Sequence, residues 1–334
     1  MLRPIRLFDE SSAQDTKSSS DRRLTERLIK RIFNGPTVID HHTAQVPLMQ
    51  SRRRILCYGI LVCCVQMCCV QMSCGDDGPD KAKTPQRAKQ QRKPRVQVLI
   101  NGETFSLGDK PAFIMHPDSP SAATRDKPWV FYAPALTQYP DAHESWMHQQ
   151  ILDQGITIAG INVGEAYGSP LAMESFDALH QEMIQRGFRD SPVLLGRSRG
   201  GLWVSSYAIR YPHRVAAIAG IYPVLDFTTY PGIDRAASAY GFSPEQLAAD
   251  VDRLNPIARA SELATAKIPV YIIHGNDDKV VPIEKNSAAL GELYRQAGAE
   301  HLITLERIDG QGHSFWEGYF HCQPLVDFVV QHAK

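Results

Sequence analysis

From residue 96 onward, short apolar runs recur along the chain with helical-period segments between most of them. The runs cover residues 96–100, 129–133, 156–163, 193–195, 215–221, 270–273 and 302–305. Short, continuously apolar stretches are how strands read when both faces of a parallel sheet are covered. The first run, followed by Asn101-Gly102, reads as a strand entering a hairpin turn. Ala172, Phe176, Leu179 and Met183 fall at i, i+4, i+7 and i+11, one face of a helix. Leu290, Leu293, Tyr294 and Ala297 do the same, and Gly298 stands where a C-cap glycine belongs. The pattern predicts an α/β fold, a mostly parallel central sheet with helices on both faces. In such sheets chemistry gathers at the carboxyl ends of the strands.

The first 95 residues follow a different pattern. Residues 1–48 are charged and Ser-rich without sustained periodicity, and are expected to be disordered or to lie upstream of the true start. Met49 opens a stretch with Arg52, Arg53 and Arg54, followed by an uncharged run over 55–75. Positive then apolar is the layout of an export signal, so translation is expected to begin at Met49. The run ends Gln71-Met72-Ser73-Cys74, a small residue before cysteine, similar to a lipoprotein signal although Gln71 replaces the usual aliphatic residue. Residues 49–74 are thus a cleaved signal, a lipoprotein signal acylated at Cys74, or a membrane anchor of about 20 residues. Each reading places the body outside the cytoplasm, periplasmic or extracellular, with membrane contact only through this segment or a lipid on Cys74. Residues 75–95, rich in Lys, Arg, Gln and Pro, read as a flexible basic linker to a domain over 96–334.

Charge sharpens this division. Lys plus Arg equals Asp plus Glu, 36 each, yet 18 of the basic and only 9 of the acidic residues lie before residue 96. The body is therefore acidic, which argues against nucleic acid as a partner. Six of seven cysteines crowd into 57–74 and only Cys322 lies in the body, so no disulfide within the domain is expected.

Three strand ends carry reactive side chains. After residues 193–195 comes Gly196-Arg197-Ser198-Arg199-Gly200-Gly201 and then a helix to about Arg210. This is G-x-S-x-G between strand and helix, the setting in which a tight, strained turn presents a serine hydroxyl. After 270–273 comes His274-Gly275-Asn276-Asp277-Asp278, and after 302–305 comes Gly312-His313. A serine needs a base, and the base needs a carboxylate to fix its tautomer. Ser198, Asp278 and His313 supply these in the chain order of α/β-hydrolases. Asp277 and Asp226 are rival acids; His274, beside the acid loop, reads as structural, and His321 as part of the last helix. The backbone N–H of Arg199 is one expected oxyanion donor, and Ala135 or Leu136, after residues 129–133, the other; Pro134 cannot donate. No metal or cofactor is called for.

The pattern His274-Gly-x-x-Asp278-x-x-Val281-Pro282, a helix, then Gly312-His313, together with the double glycine after Arg199 and Asn255-Pro256-Ile257, resembles the prolyl-oligopeptidase branch of the α/β-hydrolases from about Lys127 to the C-terminus. The resemblance implies an α/β-hydrolase fold and serine hydrolase chemistry, with esterases, peptidases and acyl hydrolases all in the branch. Only about thirty ordered residues precede the sheet, too few for the β-propeller such peptidases carry.

The expected activity is cleavage of a carboxylic ester through an acyl-enzyme. The alternatives are a serine peptidase on short peptides and a non-catalytic binding protein on the same fold. Arg197 and Arg199 flank the serine and would either bind an acidic substrate group or pair with internal acids such as Glu165. Glu165 and Tyr167 lie on another strand-end loop. A lid insertion is expected at about 226–267, with a helix capped at Ser243 and with Tyr230 or Tyr240 lining the pocket.

Overall fold

The structure, a computed structural model, describes residues 96–119 and 125–334. The readings made for 1–48, 49–74 and 75–95 lie outside the described residues.

Eight strands form one sheet in the order β1-β2-β4-β3-β5-β6-β7-β8. They are β1 Gly102–Leu107, β2 Lys110–Met115, β3 Trp129–Ala133, β4 Thr157–Ile161, β5 Val193–Arg197, β6 Ala217–Ile221, β7 Val270–Gly275 and β8 Ile303–Ile308. β1 pairs antiparallel with β2, and β2 with β4, while all further pairings are parallel. Side chains alternate across the sheet even where every residue of a strand is buried. In β3, Trp129, Phe131 and Ala133 join one apolar core and Val130 and Tyr132 the other. The first core is closed by α2 Pro170–Gln185, α3 Gly200–Arg210 and α9 Ser287–Gln296, the second by α1 Ser145–Asp153 and α11 Gln323–Ala333. This is the α/β-hydrolase fold, with helices on both faces.

The N-terminal edge differs from the expectation. Residues 96–100 are not a strand; Val96, Val98 and Ile100 pack partly buried against the second core, and the hairpin is β1–β2, turning at Gly108. β1 reads Gly-Glu-Thr-Phe-Ser-Leu, whose polar residues hide an edge strand from an argument based on apolar runs.

Between β6 and β7 lie α4 Ile233–Tyr240, α5 Pro244–Ala249, α6 Val251–Leu254, α7 Pro256–Arg259 and α8 Ser261–Thr265. Ser243 caps α5 by accepting from the Gln246 N–H in a capping box. Much of this insertion packs onto α2, α3 and α9 as part of the helical layer. Asp226 and Asn255 tie it down: Asn255 Nδ2 donates to Asp226 Oδ1 at 2.7 Å and Asn255 Oδ1 accepts from the Phe227 N–H at 3.1 Å.

Candidate active site

The turn from β5 into α3 explains the glycines of the serine motif. A Cβ on Gly200 would sit 2.2 Å from the Ala133 carbonyl oxygen, and one on Gly196 2.7 Å from Val204 Cγ2. Helix α3 can therefore begin against the end of β3 only with glycine there. Ser198 takes φ 50°, in the left-handed region. For a residue with a side chain this costs on the order of 1–3 kcal/mol and is tolerated where neighbours over-determine it. Here the Ser198 N–H donates to the Ile221 carbonyl at 3.0 Å and its carbonyl accepts from the N–H groups of Gly201 and Val224.

The ends of β7 and β8 bring the other two groups to the hydroxyl. Ser198 Oγ lies 2.9 Å from His313 Nε2, and His313 Nδ1 lies 2.7 Å from Asp278 Oδ2. Asp278 Oδ1 accepts from the N–H groups of Val280 (2.9 Å) and Val281 (2.8 Å). His274 is buried beside it: Nε2 is 3.3 Å from Asp278 Oδ2 and 3.0 Å from the Val281 carbonyl, and Nδ1 is 2.7 Å from Ser287 Oγ. Burial works to raise the Asp278 pKa, but hydrogen bonds from His274, His313 and Val281 hold it well below the usual carboxylate range. The rival acids sit elsewhere. Asp277 is exposed, and Asp226 Oδ1 accepts from Thr228 and Asn255 within the insertion. His321 lies after the short helix α10 Glu317–Phe320 and before α11, not inside the last helix.

A cavity of about 170 Å³ opens over Ser198 and His313. Tyr139, Tyr222, Tyr230 and Phe315 supply much of its wall, and no carboxylate lines it among the described residues. Of the insertion, Tyr230 reaches it; Tyr240 is instead buried, donating to the Tyr167 carbonyl at 2.9 Å. Tyr167 does not line the cavity.

The two arginines line the cavity with their charges already paired. Arg197 Nη1 lies 2.8 Å from Glu144 and 2.9 Å from Asp141, and the residue is 4% exposed. Its guanidinium also faces the rings of Tyr139, Phe320 and Phe315, at 4.9, 4.9 and 5.3 Å from their centroids. Burial opposes the charge of Arg197, yet Glu144, Tyr222, Tyr132 and Asp141 together hold it more firmly protonated than a free arginine. Glu144 is fully buried and also accepts from the Tyr132 hydroxyl; burial raises its pKa despite the arginine. His148, edge-on to Tyr132, is pushed down to about 3 by burial and by Arg197, so it adds no second cation at neutral pH. Arg199 pairs with Glu165, which answers the second reading of these arginines: they meet internal acids.

The loop after β3 also departs from the expectation. It lines the cavity with Pro134 and Tyr139 rather than Ala135 or Leu136. The Leu136 N–H donates to the Tyr139 carbonyl at 3.2 Å and so closes the turn, while the Ala135 side chain packs into the second core. Of the aromatic wall only Tyr230 was read from the sequence; Tyr222 had a signal as well, since it follows the strand read at 215–221.

With this geometry in place, residues 172–333 match the model of the prolyl oligopeptidase family. Over that stretch the chain is similar to the prolyl oligopeptidase family. Solved structures agree on the fold. Porphyromonas gingivalis dipeptidyl peptidase 4 aligns at 17% identity and TM-score 0.53, over 70% of this chain and 35% of its own. A Mycobacterium tuberculosis puromycin-hydrolyzing peptidase aligns at 16% and 0.52, over 72% and 40%. Est1E from Butyrivibrio proteoclasticus aligns at 17% and 0.51, over 70% and 98%. The chain thus spans well under half the length of the two peptidases and nearly the whole of Est1E. Among curated proteins no sequence match is found.

Proposed function

We propose that the protein is a serine hydrolase of the prolyl-oligopeptidase type that cleaves carboxylic esters, with Ser198 as nucleophile, His313 as general base and acid, and Asp278 as the group that orients His313. The 2.9 Å contact from Ser198 Oγ to His313 Nε2, with Asp278 on the opposite ring nitrogen, carries the reading. In the first step Ser198 Oγ attacks the ester carbonyl and its proton passes to His313 Nε2. The Nδ1–H stays donated to Asp278, whose charge steadies the imidazolium. The oxyanion is met by the Arg199 N–H at the start of α3, the Leu136 N–H being committed to Tyr139 and Ala135 being buried away from the cavity. Loss of one such donor typically slows turnover about 10²–10³-fold. His313 then returns the proton to the leaving alkoxide, and water, deprotonated by the same nitrogen, releases the acid.

Ester rather than peptide substrates are favoured by the cavity. A peptidase that grips a free peptide amine needs a carboxylate facing it, and the arginines here already hold the nearby acids. A cavity of about 170 Å³ is also small against the roughly 300–1,000 Å³ of ligand sites in general, which fits a compact acyl group. We further propose that the body is exported through residues 49–74. Turnover of p-nitrophenyl acyl esters against aminoacyl p-nitroanilides tests the substrate class. The ester reading requires kcat/KM to favour the esters beyond their greater intrinsic reactivity. Faster cleavage of the anilides would make the protein a peptidase.

A further inference from the structure

Two residues of this site hold strained backbone, and only one of them is the nucleophile. The other is Tyr222, at the end of β6, with φ 35°. A bulky ring residue in the left-handed region is a genuine outlier and persists only where its surroundings over-determine it. They do so here. The Tyr222 N–H donates to the Ile273 carbonyl at 2.8 Å. Just before it the Ile221 carbonyl accepts from the Ser198 N–H, and just after it the Val224 N–H donates to the Ser198 carbonyl at 2.8 Å. The two strained turns are stapled together on both sides of Tyr222.

This backbone lays the Tyr222 ring against His313, with centroids 4.3 Å apart and planes at 55°. The ring is itself immobilised. Tyr319 meets it edge-on at 4.9 Å and Phe320 at 6.2 Å, and the residue is 2% exposed. Burial pushes its phenol up, and the nearby Arg197 guanidinium, itself held by Glu144 and Asp141, works against that shift.

We propose that Tyr222 is the positioning residue of His313, a fixed aromatic wall that confines the imidazole to the orientation in which Nδ1 meets Asp278 and Nε2 meets Ser198. Two hydrogen bonds at opposite ring nitrogens define an axis and leave tilt about it free. A wall on one face removes that freedom. The same face lies within about 6 Å of a ring that becomes cationic during the reaction, so its quadrupole favours the imidazolium. The wall therefore acts on the proton-transfer steps more than on the binding of substrate.

The inference rests on reading Ser198 and His313 as the reacting pair, and the test separates the two ideas. Tyr222→Phe keeps the wall, whereas Tyr222→Leu keeps much of the volume without an aromatic face. Each is made in the full chain, and kcat and KM are measured separately with a p-nitrophenyl ester between pH 5 and 9. Misplacement of a catalytic group by about 1 Å loses roughly 10²-fold, so Tyr222→Leu is expected to lose about 30–100-fold in kcat with little change in KM. The acid limb of its kcat/KM profile should move to lower pH, because the imidazolium has lost a favourable neighbour. Tyr222→Phe should stay within about 3-fold of the parent in kcat, with the acid limb unmoved. Should the leucine variant not fold, Tyr222→Met repeats the comparison. Three results would each overturn the proposal: full kcat in the leucine or methionine variant, a loss confined to KM with the pH profile in place, or a phenylalanine variant as impaired as leucine. Activity that survives in Ser198→Ala and His313→Ala would instead remove the reacting pair, and this inference with it.

Discussion

Replacing Asp278 by asparagine separates the carboxylate's chemical role from its structural one. The two side chains have nearly the same shape. Oδ1 of the asparagine would go on accepting from the Val280 and Val281 N–H groups, at present 2.9 and 2.8 Å away, so the turn after β7 stays in place. The other arm changes sign. Where Oδ2 now accepts from His313 Nδ1 at 2.7 Å, an amide nitrogen would donate, and the imidazole could answer only by carrying its proton on Nε2. That proton would point at Ser198 Oγ, 2.9 Å away, and the ring could no longer accept from it. Trapping the wrong tautomer in a serine triad lowers kcat about 10⁴-fold, equivalent to about 5.5 kcal/mol on the barrier. Steady-state kinetics of Asp278→Asn should therefore show kcat down by about 10³–10⁴, KM near the parent value, and a folded protein by circular dichroism. Retention of more than about a tenth of kcat would refute the reasoning and turn attention to Asp226 or Asp277.

Other outcomes follow from the same contacts. Because Asp278 is held below the usual carboxylate range, its partners stabilise the fold fully above the unfolded pKa of about 3.9 and progressively less as pH falls through the folded value. The melting temperature of the parent should thus fall more steeply with acid than that of Asp278→Asn in scans below about pH 4. Arg197→Ala would leave Glu144 buried without its cation, a loss of about 3–5 kcal/mol or roughly 6–20 °C in Tm by calorimetry. It should leave unchanged the ratio of kcat/KM for carboxylate-bearing against neutral esters, since the guanidinium is already paired; a fall in that ratio would make Arg197 a substrate contact. Gly200→Ala would drive a methyl to 2.2 Å from the Ala133 carbonyl and should give insoluble or inactive protein, as read by soluble yield and ester turnover. If Cys74 is acylated, an alkynyl fatty acid fed to the expressing cells should label the chain, and Cys74→Ser should abolish the label.

The alternation of strand and helix was legible because parallel strands are buried on both faces and leave unbroken apolar runs, as in β3, β5 and β7. The turn at Ser198 was legible because steric crowding at Gly196 and Gly200 admits no side chain, so the motif carries its own geometry. The polar edge strand β1 was missed because neither of its faces needs to be continuously apolar, and the run at 96–100 drew the strand too early. The partners of Arg197 were illegible for a different reason. Glu144 and Asp141 lie more than fifty residues away, and only the tertiary fold brings the turn before α1 to the guanidinium at the end of β5. The aromatic wall has the same origin. Tyr139, Tyr222 and Phe315 come from three separate strand-end loops, and no local spacing announces that they converge.

Reaction with a fluorophosphonate probe, followed by mass-spectrometric mapping of the modified peptide, tests the central claim most directly. One equivalent of label is expected on Ser198, none on Ser198→Ala, and much slower labelling of His313→Ala. Undiminished labelling of Ser198→Ala, or a label mapped to another residue, would contradict it.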